Sequence, residues 1–480
     1  MIHTSTQPAA KASTLRTTTS WFSAAFRPSI ACRFRTSFCA FFLFVFASVA
    51  AHADEPPLRP PVPYVETNDG TQGFLDQGGV RLRTERERGV RLGNIVLWPT
   101  LFVESRWDSN VFQQDAQDAT ELTSAALFRF LPGLAISNLR PNKLAFTFGL
   151  LGDARVYVSE DRAVKGQNNV GGNADLRLDI LPNSPVTITL LDTFRRSLQS
   201  QNVSSDKTFN VNANRAGVRF AIHPGGKALD IALGYAYLLH IFDDTTNLNW
   251  QSHNITFKST WRFYPKTFAI LEATLAMKDW DSEPYGQGQF VDNKALRVWA
   301  GLSGFWTKKL TTLIKVGYGN SLHDEGPSFE HVIGHVELGY KITNGILLAA
   351  GYLRDYSQTS FLGNFFVENR TYLRTQFDLA QRVRIDGMAA YSLVDYAEYD
   401  PAALGVSQVF VSHKERRDQV IRGNVRVDVD IARWVGVSVG YEVMAVLSNY
   451  FTENLSLAER PRDYGAFIRH QVYGSVNIRY

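Results

Sequence analysis

Two pairs of arginines, spaced four residues apart, are the side chains in this sequence with the clearest chemical potential. Arg370 and Arg374 form one pair, and Arg422 and Arg426 form the other. Residues four apart on a β-strand lie on the same face. Guanidinium groups that face water raise the local concentration of anions. Because only Asp378 or Asp428 is close enough to each pair to neutralise it, we expect part of this positive charge to be uncompensated.

Further charges share the polar face of the segments that contain these arginines and of similar segments elsewhere. If that face is the wall of a lumen, these charges either form salt bridges that stiffen the wall or select and guide solutes, and one wall can do both. The residues predicted to line the pore are Asp153, Arg155, Asp175, Arg177, Arg215, Arg219, Arg262, Arg297, Trp299, Glu337, Arg370, Arg374, Arg422, Arg426 and Asp428.

One of these segments carries residue types that could bind a metal ion. His331, His335 and Glu337 share one strand face, but residues four apart on a strand are separated by roughly 13 Å, too far to share one ion unaided. The sequence contains no Gly-rich phosphate loop in a helical context. We therefore expect no enzyme, no metal site and no cofactor.

The segments that must position these residues are predicted to be β-strands. Apolar and polar residues alternate from residue 93 to the C-terminus, as in "NVGGNADLRLDI" at 169–180, and such alternation is typical of strands with one apolar and one wet face. Within 208–222 the apolar positions change parity, which predicts a bulge near Asn214–Arg215. Eighteen strands are predicted, near 93–107, 122–136, 143–158, 168–181, 185–196, 208–222, 228–242, 250–264, 267–279, 293–306, 309–320, 329–342, 345–356, 364–379, 382–395, 417–431, 433–448 and 464–480.

The connections between these strands alternate in length. Short turns such as 264–266 and 343–345 alternate with longer polar loops such as 280–292 and 396–416. This alternation is typical of a transmembrane β-barrel with both termini on the short-turn side. A soluble propeller or sandwich is the competing fold, but its core would have to bury a densely charged face. We predict a single all-β antiparallel barrel with short periplasmic turns and longer extracellular loops.

The positions of the tryptophans give independent support for the barrel. Beyond the first 53 residues there are eight tryptophans, and all but Trp299 lie at or near predicted strand ends. Indole rings favour the two interfaces of a membrane. We therefore expect the tryptophans near strand ends to form aromatic girdles.

The N-terminal region predicts export. Arginines precede the apolar run at 38–50, and "AHA" at 51–53 supplies a cleavage site, so residues 1–53 are predicted to be a signal peptide. Both cysteines lie in this leader, as do five of the 50 Lys and Arg residues and no acid. The rest of the chain therefore has one more acid than base, which gives no reason to expect nucleic-acid binding.

Residues 54–92 are predicted to form a separate periplasmic segment before the barrel at 93–480. Residues 54–65 contain five prolines and are expected to be a semi-rigid spacer. The tetrapeptide GVRL occurs at 79–82 and again at 89–92 around a charged core. This repeat is either a short solvated helix or strand, or a plug or docking element.

The two ends of the predicted barrel carry resemblances to known proteins. The last strand alternates cleanly and ends on an aromatic ring, and it resembles the C-terminal signal that the barrel-assembly machinery of Gram-negative bacteria reads. This resemblance implies an assembly role for Tyr480, Ile478 and Val476. The first strand, "WPTLFVESRWDSNVFQ" at 98–113, resembles the opening of the β-barrel porin 2 family through Trp107, Asp108, Asn110, Val111 and Phe112.

Three functions follow from this interpretation. The first choice is an outer-membrane porin that passes polar solutes through a charged lumen. The second is a conduit for polysaccharide export, in which the Pro-rich segment docks a periplasmic partner. The third is a non-conducting structural or adhesive barrel. In each case outer-membrane lipid and lipopolysaccharide are the expected partners.

Overall fold

The structure is a computed structural model that describes residues 89–113, 122–197, 210–224, 228–243, 246–282, 291–343, 345–358, 364–379, 382–398, 409–411, 416–449, 451–454, 463–464 and 466–479. The predicted signal peptide, residues 54–88 and Tyr480 lie outside these ranges. In the part of the chain that is described, no helix is long and apolar enough to cross a membrane.

Eighteen long antiparallel strands form one closed sheet, as predicted. Each strand pairs with the next along the chain, and the last pairs with the first through nine opposed residue pairs, from Thr100↔Arg479 to Asp108↔Gln471. The strands are β1 (Ile95–Asp108), β2 (Ala125–Asn138), β3 (Leu144–Val158), β4 (Asn169–Ile180), β5 (Val186–Ser197), β6 (Val211–Ile222), β7 (Leu229–Phe242), β8 (Trp250–Tyr264), β9 (Thr267–Trp280), β10 (Asn293–Phe305), β11 (Leu310–Asn320), β12 (Glu330–Thr343), β13 (Ile346–Gln358), β14 (Phe365–Leu379), β15 (Val383–Tyr396), β16 (Arg417–Asp430), β17 (Val435–Ser448) and β18 (Phe467–Arg479).

The strands are tilted relative to the barrel axis. A line of directly opposed residues begins at Leu97, near the start of β1, and passes Asp192 in the middle of β5. It reaches Lys294, near the start of β10, which lies at the other end of the barrel from the start of β1. A closed sheet requires such a stagger, because closure couples the register to the tilt of the strands. Residues far apart in the sequence therefore meet at the same height.

The connections alternate as predicted. The eight turns at one end have two to six residues, and the nine loops at the other end have six to twenty. We call these ends the short-turn rim and the long-loop rim. The start of β1 and the end of β18 both lie at the short-turn rim, so every odd-numbered strand runs toward the long-loop rim.

Some predicted boundaries differ from the observed ones. The second GVRL forms a three-residue strand, Val90–Leu92, that makes a hairpin with β1, so strand pairing begins before residue 93. The predicted bulge near Asn214–Arg215 is wrong, because β6 pairs with both neighbours without a register shift. The polar Asn214 therefore lies on the outer face, where its side-chain amide donates to Asp192 Oδ1 at 2.8 Å. A paired amide is tolerated there, so the backbone does not need to change face.

The long-loop rim carries small elements of its own. A four-residue helix, α1 (Arg162–Lys165), follows β3, and the side chain of Asp161 caps its N-terminus. Three short strands in the last two long loops pair with one another, namely Val409–Val411, Phe451–Asn454 and Asp463–Tyr464. These loops are therefore partly ordered by each other.

Candidate functional site: the inner face of the barrel

The two faces of the sheet have different chemistry. On the outer face large apolar side chains are exposed, among them Phe128, Val156 and Leu233. On the inner face the side chains of non-adjacent strands meet. Arg106 of β1 reaches Glu442 of β17 at 3.1 Å, although β18 lies between these strands. Contacts of this kind form on the concave side of a closed sheet, where side chains converge.

All fifteen residues that the sequence predicts to line a pore lie on this inner face. Their positions follow from the pairing, because directly opposed residues of antiparallel strands share a face. For example, Asp153 is opposed by Gly171, and Trp299 is opposed by Glu272 and Gly317. The structure therefore places the predicted set together on one wall, and their role in solute passage stays a prediction.

A chain of alternating charges crosses the closing strands. Asp153 accepts from Arg129 at 2.7 Å and from Arg155 at 2.8 Å. Arg129 also lies 3.5 Å from Glu104, which accepts from Arg106 at 2.9 Å. The Arg106 guanidinium also stacks 4.6 Å from the ring centre of Tyr473 and reaches Glu442.

These side chains are mostly buried, and buried ions are stable only when their partners remain in place. The network therefore stiffens the wall and leaves little charge available to a solute. Sequence reasoning missed Glu104, Arg106 and Glu442, although the parity of their strands would have assigned them to the inner face.

The arginine pairs that suggested uncompensated positive charge are in fact paired. Arg370 donates to Glu368 at 2.6 Å, and Arg422 lies 3.5 Å from the same carboxylate. Arg374 donates to both oxygens of Glu337, at 2.6 and 2.7 Å. The expectation of uncompensated charge at these positions is therefore wrong.

The carboxylates involved could not be identified from the local sequence pattern. The aspartate that follows Arg374 on its strand, Asp378, pairs instead with Arg384 at 2.6 Å. Arg426 pairs with Asp428 at 2.8 Å, as its spacing suggested. Glu337 belongs to β12, two strands away from Arg374, so only the pairing of three consecutive strands in a curved sheet brings these residues together.

The sector from β5 to β9 presents exposed positive charge on the inner face. Glu272 accepts from Lys258 at 2.9 Å and from Lys315 at 2.8 Å, so one carboxylate serves two ammonium groups. The Lys258 side chain is 56% exposed. Arg195 is exposed on the same face, where it is directly opposed by Asn173 and its charge interacts with Asp175. Arg219 lies 3.4 Å from its half-exposed partner Asp230.

Six tyrosines form an ordered girdle on the outer face, between the middle of their strands and the long-loop rim. Each tyrosine lies on an odd-numbered strand, and its hydroxyl forms a hydrogen bond of 2.7–2.9 Å with a polar side chain on the following strand. That partner is not the residue directly opposite the tyrosine. It lies two positions away from that opposite residue, on the side of the long-loop rim. The pairs are Tyr235–His253, Tyr237–Gln251, Tyr318–Glu330, Tyr352–Asn369, Tyr391–Gln419 and Tyr441–His470. All six hydroxyls therefore point the same way, as amphipathic rings do at a membrane interface.

The tryptophans divide between the two faces. Trp261, Trp306 and Trp434 are exposed near the short-turn rim, and Trp107 is exposed near the long-loop rim. Trp98 and Trp250 are buried on the inner face, where Trp250 stacks on His240 at 3.8 Å. The expectation that all strand-end tryptophans belong to outer girdles is therefore wrong, because position along a strand does not determine the face.

Comparisons with known proteins identify similar folds only. No protein-family model and no curated protein matches the chain. Among solved structures, Pseudomonas aeruginosa OccK3 (OpdO) is 10% identical over 80% of this chain and 95% of its own, with a TM-score of 0.44. A BenF-like porin from Pseudomonas fluorescens Pf-5 is 9% identical over 80% of this chain and 99% of its own, with a TM-score of 0.47. The resemblance of residues 98–113 to the β-barrel porin 2 family stays a prediction.

Proposed function

We propose that this chain is a channel in the outer membrane of a Gram-negative bacterium and that it passes polar solutes. The observation that carries the proposal is a closed sheet with an exposed apolar outer face and a charged inner face. Such a sheet is stable when lipid covers the outside and water wets the inside.

The exposed tryptophans near the short-turn rim and the tyrosine girdle mark the two edges of the apolar belt, and the distance between them is compatible with a bilayer. Trp434, in the turn before β17, and Tyr441, within β17, are seven residues apart. At about 3.3 Å per residue and a tilt of about 40°, their Cα atoms differ in height by roughly 18 Å. The indole and phenol rings extend this span toward the belt of about 25 Å that is usual for outer-membrane barrels.

The distribution of charge favours anionic over cationic solutes. The closing strands and β12–β16 hold their inward-facing arginines in ion pairs, whereas the sector from β5 to β9 presents Arg195, and also Lys258, which shares the carboxylate of Glu272 with Lys315, to the lumen. Cations exposed in a water-filled lumen raise the local anion concentration. We therefore expect a modest anion preference that weakens as salt screens it.

The membrane orientation and the partners belong to the same proposal. The short-turn rim, with both strand ends, would face the periplasm, and the long loops would contact lipopolysaccharide at the cell surface. The barrel-assembly machinery would insert the chain after cleavage near Ala53. A polysaccharide-export role, with a periplasmic partner on residues 54–88, is the alternative, and a non-conducting barrel is the third candidate.

Single-channel recording in planar lipid bilayers tests the proposal. Purified, folded protein should give discrete conductance steps, both intact and after removal of residues 54–88. That deletion spares the Val90–Leu92 hairpin, so it tests the N-terminal segment as a plug without disturbing β1. Folded protein that gives no steps in either form would contradict the channel and favour a structural barrel.

A further inference from the structure

Asp108, the last residue of β1, fixes the first strand to the last. Its carboxylate is completely buried on the inner face. Arg469 of β18 donates to both carboxylate oxygens through Nε, at 3.0 Å each, and Nη2 also contacts Oδ2. Gln471, the residue directly opposite, donates to Oδ2 at 2.6 Å. Every one of these side-chain partners comes from the other end of the sequence.

The next two residues continue the attachment beyond the end of β1. Ser109 N donates to His470 O at 3.0 Å, and His470 N donates back to Ser109 Oγ at 2.9 Å. Asn110 is completely buried. Its backbone N–H donates to Asp108 Oδ1 at 3.1 Å, and its side-chain amide donates to Ile468 O at 3.1 Å.

The same segment then places two apolar side chains on the inner wall. Val111 and Phe112 are buried in a cluster with Leu127, Tyr157 and the helix residue Val164. Leu127 of β2 and Tyr157 of β3 are directly opposed and face inward. A backbone hydrogen bond from Val111 N to Thr123 O, at 2.9 Å, holds the turn against the start of β2. The cluster therefore lies on the lumen side of the wall at the long-loop rim.

We infer that Asp108–Phe112 is a closure clasp that locks β1 to β18 and holds an apolar constriction at the mouth of the barrel. The carboxylate of Asp108 and the amide of Asn110 obtain their β18 partners only when the barrel closes. Closure and the inward position of Val111 and Phe112 are therefore coupled. The locking of β1 to β18 follows from the contacts alone, whereas the constriction at the mouth also rests on the proposed channel function.

The locking half is tested by the thermal resistance of the closed barrel. Folded protein, kept unboiled in detergent, is heated in steps, and the loss of its fast-migrating electrophoretic band is recorded. Asp108→Ala leaves the Arg469 guanidinium buried without its carboxylate partner. Asn110→Ala removes the hydrogen bond from the side-chain amide to Ile468 O of β18. Both variants should therefore lose the folded band at a lower temperature than the unmodified chain. Asp324→Ala, which removes an exposed carboxylate from another long loop, is the matched control.

If Asp108→Ala does not assemble at all, Asn110→Ala still tests the clasp, because it removes no charge. Equal thermal resistance of Asn110→Ala, Asp324→Ala and the unmodified chain would overturn the locking half. A selective loss in the two clasp variants would support it.

The constriction half is tested by single-channel conductance. Val111→Ser with Phe112→Ser removes the apolar cluster but leaves the β1–β18 contacts, so it should raise the unit conductance while largely keeping the folded band. Leu322→Ser, in the β11–β12 loop at the same rim, should leave conductance unchanged. An unchanged or lower conductance in the double variant would overturn the constriction. If the unmodified chain itself does not conduct, the proposed function and the constriction both fail, and the heating experiment still decides the clasp.

Discussion

Glu272 offers the sharpest test of charge in the lumen, because its one carboxylate balances two ammonium groups. Glu272→Gln should leave Lys258 and Lys315 in place, since the amide oxygen still accepts a hydrogen bond, while the wall gains one positive charge. Lys258→Gln should have the opposite effect, because Lys258 is the more exposed of the two lysines. The two variants form a pair with opposite expected signs.

The size of the effect follows from the distance between the changed charge and a passing ion. For an ion about 7 Å away in water, one unit of charge is worth about 0.6 kcal/mol without screening. At 0.1 M salt, screening over about 10 Å halves this to about 0.3 kcal/mol, a factor of about 1.6 in local anion concentration. At 1 M salt the screening length is about 3 Å, and the effect should be too small to detect.

The assay is the reversal potential across a planar bilayer under a salt gradient. Glu272→Gln should shift it toward anion preference at 0.1 M, Lys258→Gln toward cation preference, and neither should shift it at 1 M. Lys294→Gln is the control, because Lys294 is equally exposed but lies on the outer parity of β10. Shifts of the same sign in both variants, or a shift that persists at 1 M, would refute the electrostatic argument.

Three further predictions concern stability and assembly. Arg374→Gln should lower the free energy of unfolding by about 3–5 kcal/mol, measured by urea titration in detergent, because Glu337 is left buried without its counter-ion; a loss under about 1 kcal/mol would contradict this. Leu176→Arg should reduce the amount of assembled protein in outer-membrane fractions, because a cation near the bilayer midplane costs about 2–4 kcal/mol. Asn173→Arg, on the inner face of the same strand, should be tolerated. Equal amounts of the two variants in the outer membrane would contradict the assignment of faces. Deletion of Tyr480 should leave protein in the periplasm or lost to proteolysis, and normal surface levels would remove the assembly-signal argument.

The six girdle tyrosines show that a membrane level can be recognised only from pairs of residues on different strands, and not from single residues. Tyr441 and His470 are ordinary residues of two separate strands, and neither indicates a membrane level alone. Their hydrogen bond at 2.8 Å requires β17 and β18 to pair in a single register. The same diagonal hydrogen bond recurs in five other pairs, so the registers of five strand pairings together define the girdle.

Two predictions made from the sequence are wrong, each for a different physical reason. A wholly apolar outer face predicts a bulge near Asn214, whereas the structure keeps Asn214 on the outer face, paired with Asp192. Position near a strand end predicts that Trp98 and Trp250 belong to outer girdles, but both face inward. Position along a strand and face are separate properties, and each must be assigned by itself.

The sequence by itself determined the strands, their faces and the alternation of turns and loops. These features are local, because alternation with a period of two needs only neighbouring residues. It therefore predicted eighteen strands and the inward position of residues such as Arg374 and Trp299. Only the tertiary structure decided the partners, because Arg374 meets Glu337 across β13, and Asp108 meets Arg469 across the closing seam. Such pairs depend on the tilt and stagger of a closed sheet, which no local pattern encodes.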